Sequence, residues 1–243
     1  MTYCVGLSID RGLVFMSDTR TNAGIDSIST FRKMHVWEEP GERVVVLMSA
    51  GNLATTQAVV SILDERSKAP EERMPTVLGT PSMYQTARLV GNTVKDVIAN
   101  ASHDHHHGDS FFNASFILGG QIRGSEPRLF LIYPEGNFIE ATDDTPFFQI
   151  GEMKYGKPII IRAYDASMSF GDAAKLLLLS FDSTLRSNLS VGLPLDLIFY
   201  ERDSLRVGLK RRIGPGDPYY RRVSETWSDA LRNAFNSLPE FPG

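Results

Sequence analysis

A single cysteine, Cys4, stands in a chain of 243 residues, so a disulfide framework within the chain is excluded. No apolar run approaches the roughly 20 residues needed to span a bilayer, and the start of the chain lacks the basic-then-apolar form of a signal peptide. A cytoplasmic protein without membrane contact is therefore expected. Cationic residues are too scattered for a nucleic-acid stripe: the net charge is −4, and only Lys210-Arg211-Arg212 and Arg221-Arg222 are locally basic, which reads as surface or subunit contacts. There is no internal repeat and no low-complexity domain. The length suffices for a large core, and one domain over 1–243, with a C-terminal helical extension from about 215, is expected.

What the chain does have is concentrated between Thr2 and Lys33. Tyr3, Val5, Leu7 and Ile9 alternate onto one face of a strand, Leu13 and Phe15 onto one face of the next, and Asp10-Arg11-Gly12 supplies the turn of a hairpin. Cys4 points opposite to Tyr3 and Val5 and reads as core rather than reactive. The second strand runs into Ser17-Asp18-Thr19-Arg20, where two charges either cap the strand at the surface or serve a site. Removal of Met1 would give Thr2 a free amine and a β-hydroxyl on neighbouring carbons. An α-amine with an ordinary pKa of about 8 can accept the hydroxyl proton at neutral pH, so base and nucleophile share one residue. Such a base needs a cation to hold its pKa down and a carboxylate to orient that cation; Lys33 and Asp18 are the candidates.

Thr2, Asp18-Thr19-Arg20 and Arg32-Lys33 together resemble the N-terminus of proteasome-type β subunits, which are N-terminal-nucleophile hydrolases. The basic pair lies one residue closer to the threonine than in most of them. In detail the run looks like the bacterial group called Anbu, the proposed ancestral β subunit. The resemblance implies an α+β fold, a four-layered αββα sandwich, and threonine peptidase chemistry without metal or organic cofactor. It also implies a homo-oligomer enclosing its sites between subunits, acting on peptide or unfolded protein, with an ATPase partner left open.

The same resemblance assigns further roles. Gly51 would donate the oxyanion N–H, and Thr21, Phe31, Ser49 and Leu53 would form the wall of the specificity pocket. Read without it, Ser49-Ala50-Gly51-Asn52 is a strand turning through glycine into a helix, which leaves N–H groups for an anion or is an ordinary tight turn. Arg20 would be structural, and Ser190 would help brace the nucleophile. Two departures stand out: Gly151-Glu152-Met153 replaces a Gly-Ser-Gly element, and Ser187 stands where an aspartate would. Glu152 would either accept from the amine and weaken it as a base, or face a neighbouring subunit.

Elsewhere the patterns predict a hairpin of Met34–Trp37 with Arg43–Met48, then a helix from Leu53 to Leu63 whose packed face is Ala54, Ala58 and Ile62. An exposed connection (Ser67–Pro81) and a helix capped by Ser82 and ending near Ala101 follow. Strands are predicted at Phe111–Leu118, Arg128–Tyr133, Asn137–Glu140 and Phe147–Gly151, then a helix over Ser167–Leu185 and a closing hairpin of Leu195–Tyr200 with Ser204–Leu209. Two mixed sheets are expected. A last helix, Ser224–Phe235, carries Trp227, Leu231 and Phe235 as a core stripe or a partner contact. The His103–His107 run could bind a metal, but with no second cluster it reads as a solvated loop.

The reading that follows is a proteasome-type threonine peptidase. Two alternatives stay open: a non-catalytic assembly subunit, or an amidohydrolase for a small amide or defined peptide.

Overall fold

The computed structural model describes residues 1–22, 28–68, 75–104 and 109–242. The elements in chain order are β1 (Tyr3–Ile9), β2 (Gly12–Asp18), β3 (Arg20–Asn22), β4 (Ile28–Thr30), β5 (Met34–Glu39), β6 (Arg43–Gly51), α1 (Leu53–Lys68) and α2 (Met83–Asp104). They continue through β7 (Ala114–Ile122), β8 (Arg128–Ile132), β9 (Phe138–Glu140), β10 (Phe147–Gly151), α3 (Lys157–Ala163), α4 (Phe170–Ser187), β11 (Leu195–Glu201), β12 (Leu209–Ile213) and α5 (Pro218–Asn236).

Two five-stranded sheets, ordered β10-β1-β2-β11-β12 and β5-β6-β7-β8-β9, pack face to face. Between them lie Cys4, Leu13, Phe15, Val44, Val46, Met48, Ile117 and Phe148. The opposite face of the first sheet carries Tyr3, Val5, Leu7 and Met16 against Leu176, Leu177 and Phe181 of α4. That of the second carries Val45, Leu47 and Phe116 against Val59 and Leu63 of α1 and Val90 and Val94 of α2. The result is the four-layered αββα sandwich expected. Hydrophobic alternation explains the layering, because each strand must satisfy a helix on one face and a second sheet on the other. The strand pairings are antiparallel throughout, where mixed sheets are expected from the sequence.

The strand that carries Thr2 is firmly held. Tyr3, Val5 and Leu7 are fully buried, each such side chain contributing about 1.5–3 kcal/mol. The Tyr3 hydroxyl shares a 2.6 Å hydrogen bond with Ser180 Oγ and accepts one from Gln149 Nε2, and its ring lies 4.4 Å from that of Phe181.

Several local expectations are corrected. α1 turns Thr55, Thr56, Val59, Val60 and Leu63 inward, while Ala54 is exposed and Ala58 and Ile62 only half-buried. Helical period was right and phase was wrong, because threonine methyls served as apolar surface. Pro158 sits in the first turn of α3, where its missing N–H costs nothing, so a segment left without structure is helical. The last strand is Leu209–Ile213 rather than Ser204–Leu209: an edge strand of Leu-Lys-Arg-Arg-Ile exposes most of its side chains and shows no alternation. α5 starts at Pro218, capped by Asp217, and Ser224 lies inside it, bonding Asp182. Phe111 and Phe112 belong to a 3₁₀ turn before β7. The connection after α1 is not wholly exposed, since Thr76, Val77 and Thr80 are buried. Of the His103–His107 run, His103 and Asp104 end α2 and 105–107 lie outside the described residues.

Candidate active site

Every group of the candidate site hangs from a strand end at one edge of the sandwich. β2 ends in Asp18, fully buried, and the chain then bends into the short β3-β4 ribbon that returns it to Lys33, 5 % exposed. The sequence gives no sign of that ribbon, because three residues per strand are too few to show a period. Its consequence is that Lys33 Nζ reaches back under β2, donating to Asp18 Oδ1 at 2.7 Å and to the Arg20 carbonyl at 2.5 Å.

Asp18 ties this cation to the start of the chain. The same Oδ1 accepts the Tyr3 N–H at 3.0 Å, and Oδ2 accepts the Gly192 N–H at 3.4 Å. Lys33 Nζ is thus separated by one shared oxygen from the amide that follows Thr2. Burial pushes the Asp18 carboxyl up, with the Lys33 ammonium and the two backbone donors opposing. Burial first, and then the Lys33 charge, hold the Met1 amino group below its ordinary value, with Asp18 opposing. The chain terminus therefore lies inside the field of this ion pair.

Thr2 itself is half-buried and fixed through its backbone: its carbonyl accepts the Glu152 N–H at 2.7 Å. Gly151 makes this approach possible. It adopts φ +84°, and a Cβ there would collide with the Thr2 carbonyl oxygen.

Gly51 is placed by ladder geometry. Ser49 N donates to the Lys33 carbonyl on the β5 side, and alternation sends the N–H two residues later to the same side, where β5 no longer runs. The Gly51 N–H is thereby left facing the cleft, at φ +119°. Asn52 caps α1 immediately beyond, its Oδ1 accepting the Thr55 N–H at 3.1 Å.

These groups border a cavity of about 710 Å³ lined by Thr2, Lys33 and Gly51 together with Thr21, Phe31, Ser49 and Leu53. Met1, 60 % exposed, stands beside Thr2 at its edge. Further lining comes from residues that the sequence reading did not select: Arg32, His35, Thr56, Gln57, Val60 and Ser61. The α1 members recur at i, i+3, i+4, i+7 and i+8 from Leu53, a stripe that the wrong helical phase had hidden. His35 follows from alternation along β5, two residues before Trp37 on the helix-covered face. Burial holds its imidazole below the ordinary value, with Asp64 on α1 opposing; the Arg32 charge adds to the lowering and the Arg32 backbone hydrogen bond opposes it.

The remaining predicted residues lie behind or beside the cleft. Arg20 sends Nη1 to the Leu189 carbonyl at 2.9 Å, holding the loop whose Gly192 meets Asp18. Glu152 turns inward: it is 8 % exposed and accepts from Lys154 N at 3.2 Å and Asn188 Nδ2 at 2.9 Å. Asn188 in turn accepts the Ser190 N–H at 2.9 Å. Ser190 thus enters the network through its backbone, and its hydroxyl makes no hydrogen bond among the described residues. Ser187 is exposed and closes its hydroxyl onto the Ser183 carbonyl of its own helix, 2.8 Å away. Among the described residues no cluster of three metal-ligating side chains occurs, and no helix is long and apolar enough to cross a membrane.

Comparison with known proteins adds family context. The profile of the family described as "Proteasome subunit" matches residues 2–192. Among solved structures, Anbu from Hyphomicrobium sp. strain MC1 is 56% identical over 100% of both chains, with a TM-score of 0.90. Anbu (ancestral beta-subunit) from Yersinia bercovieri is 50% identical over 100% of this chain and 99% of its own, with a TM-score of 0.93. The helical assembly of the Anbu complex from Pseudomonas aeruginosa is 46% identical over the same shares, with a TM-score of 0.94. No match was found among curated proteins.

Proposed function

We propose, from the premise that this chain belongs to the proteasome subunit family, that it is a threonine-type peptidase acting through Thr2 once Met1 is removed. The observation that carries this reading is the single carboxylate oxygen of Asp18 that joins Lys33 Nζ to the amide beside Thr2, at the edge of a cavity.

Removal of Met1 moves the amino group one residue deeper, from an exposed to a half-buried position, where burial and Lys33 act on it more strongly. Thr2 Oγ1 attacks the peptide carbonyl and its proton passes to the Thr2 amine. The carbonyl oxygen, now negative, is met by the Gly51 N–H. The amine returns the proton to the leaving nitrogen as the C–N bond breaks, leaving an ester on Thr2. Water then attacks the ester, giving a proton to the same amine, which returns it to Thr2 Oγ1 as the ester C–O bond breaks and the acid product leaves. Asp18 keeps the Lys33 ammonium in place, and Arg20 and Gly192 hold the surrounding loop. The steps use only the chain's own residues, the substrate and water.

The chain works as a homo-oligomer in the cytoplasm. A relative at 46% identity forms a helical assembly, and α5 here exposes Leu231 and Phe235, 51% and 74% accessible, which suits a contact between copies. Turnover of a peptide library by the wild type and by Thr2→Ala tests the activity. Hydrolysis that is lost in Thr2→Ala supports it; hydrolysis by neither, from a protein lacking Met1, leaves the assembly-subunit reading instead.

A further inference from the structure

The ionic character of the cleft is one-sided. Arg32, Lys33 and the chain's amino end border it, and among the described residues no aspartate or glutamate does, although the chain carries 29 acidic residues against 25 basic ones. The cations are not equivalent. Lys33 is neutralised by Asp18 at 2.7 Å. Arg32 is exposed and has no ion-pair partner among the described residues, so its five N–H donors face solvent at the cavity rim. Along the wall built by α1, Gln57 and Ser61 stand one turn apart, exposed, and make no side-chain hydrogen bond among the described residues. Phe31, Leu53 and Val60 supply apolar surface between these polar groups.

We propose that the cavity accepts, on the acyl side of the bond to be cut, a residue carrying a carboxylate on a short aliphatic stem, with Arg32 as its charge partner and Gln57 and Ser61 as additional donors. The apolar residues would cover the methylenes, and a guanidinium pairs with a carboxylate through two parallel hydrogen bonds. A basic side chain would find no carboxylate among the described lining residues and would meet Arg32. A purely apolar one would strip water from Gln57, Ser61 and His35 without replacing its hydrogen bonds. Arg32 is thereby a specificity-determining residue. The inference builds on the peptidase reading for its orientation, but it is a statement about binding and can fail separately.

The test uses the full chain with Thr2→Ala, which retains the cleft without its nucleophile. Four acetylated tripeptide amides of aminocoumarin, differing only in Glu, Gln, Leu or Lys next to the fluorophore, are titrated by fluorescence anisotropy. The Glu peptide is expected to bind at least about tenfold more tightly than the Lys peptide, the scale of one charge-assisted hydrogen bond. Arg32→Gln should erase that advantage and Arg32→Glu should reverse it; both changes are at an exposed position, and circular dichroism confirms the fold. Equal or tighter binding of the Lys peptide, a Glu preference that survives Arg32→Gln, or no binding by any of the four overturns the inference. Turnover by the wild type is scored separately: Arg32-dependent Glu binding with no hydrolysis sinks the peptidase reading and leaves the specificity intact.

Discussion

At the scale of single residues the site rests on a buried charge pair. The Lys33 and Asp18 side chains are 6% and 0% exposed, and removing one partner from such a pair costs about 3–5 kcal/mol because the other charge is left unpaired. Lys33→Ala should therefore unfold at markedly lower denaturant concentration, and the double change Lys33→Met with Asp18→Asn should recover most of the loss while remaining inactive. Equal midpoints for wild type and Lys33→Ala would show that the pair is not buried as described. The amine supplies a pH prediction of definite sign. The Met1 amino group is held below its ordinary value of about 8, and the Thr2 amine that replaces it deeper in the same field is expected to stay unprotonated to lower pH likewise. The acid limb of kcat/KM should thus lie below pH 8, and a limb at or above 8 would contradict the assigned base. Cys4 offers a control, since complete burial pushes its thiol far up. Maleimide should leave the native protein unlabelled and modify it once denatured.

At the scale of elements, what positions Thr2 is the end of β10. A Cβ at Gly151 would strike the Thr2 carbonyl oxygen and would also strain a positive φ. Gly151→Ala is predicted to abolish hydrolysis by displacing Thr2, with only a modest fall in melting temperature. Wild-type activity in that variant would mean the Thr2 carbonyl contact is dispensable. The opening hairpin, β5 with β6, and the stripe of α4 were legible in the sequence because each presents a clean period to a buried face. The β3-β4 ribbon, α3 and β12 were not, since three-residue strands, a proline in a first turn and a charged edge carry no period. The same limit explains the cleft. Thr2, Lys33 and Gly51 could be placed from motif and turn chemistry, whereas Gln57 and Ser61 required the true phase of α1. The web joining Glu152, Asn188 and Ser190 combines the Asn188 side-chain amide with backbone donors across 36 residues of sequence, a pairing that no local pattern marks.

At the scale of the whole molecule, α5 is half attached. Its first turns are fastened by Asp182, which accepts from Ser224 Oγ at 2.7 Å and Tyr220 Oη at 3.1 Å, while its last turns carry Leu231 and Phe235 into solvent. Of the stripe read from the sequence, Trp227 is half-buried and Leu231 and Phe235 are exposed, so it is not a core face of this chain. Leu231→Asp combined with Phe235→Asp should leave the fold unchanged and shift the particle to smaller species in light scattering; an unaltered size distribution would place the subunit contact elsewhere. The central claim concerns chemistry at the chain start, and one experiment bears on it most directly. A peptide α′,β′-epoxyketone forms a cyclic adduct only where a hydroxyl and a free amine sit on adjacent carbons, so intact mass after treatment reads both groups at once. The account predicts a chain lacking Met1 that gains one inhibitor mass at Thr2 and a Thr2→Ala variant that gains none. A chain that retains Met1, or a processed chain that stays unmodified, would contradict it.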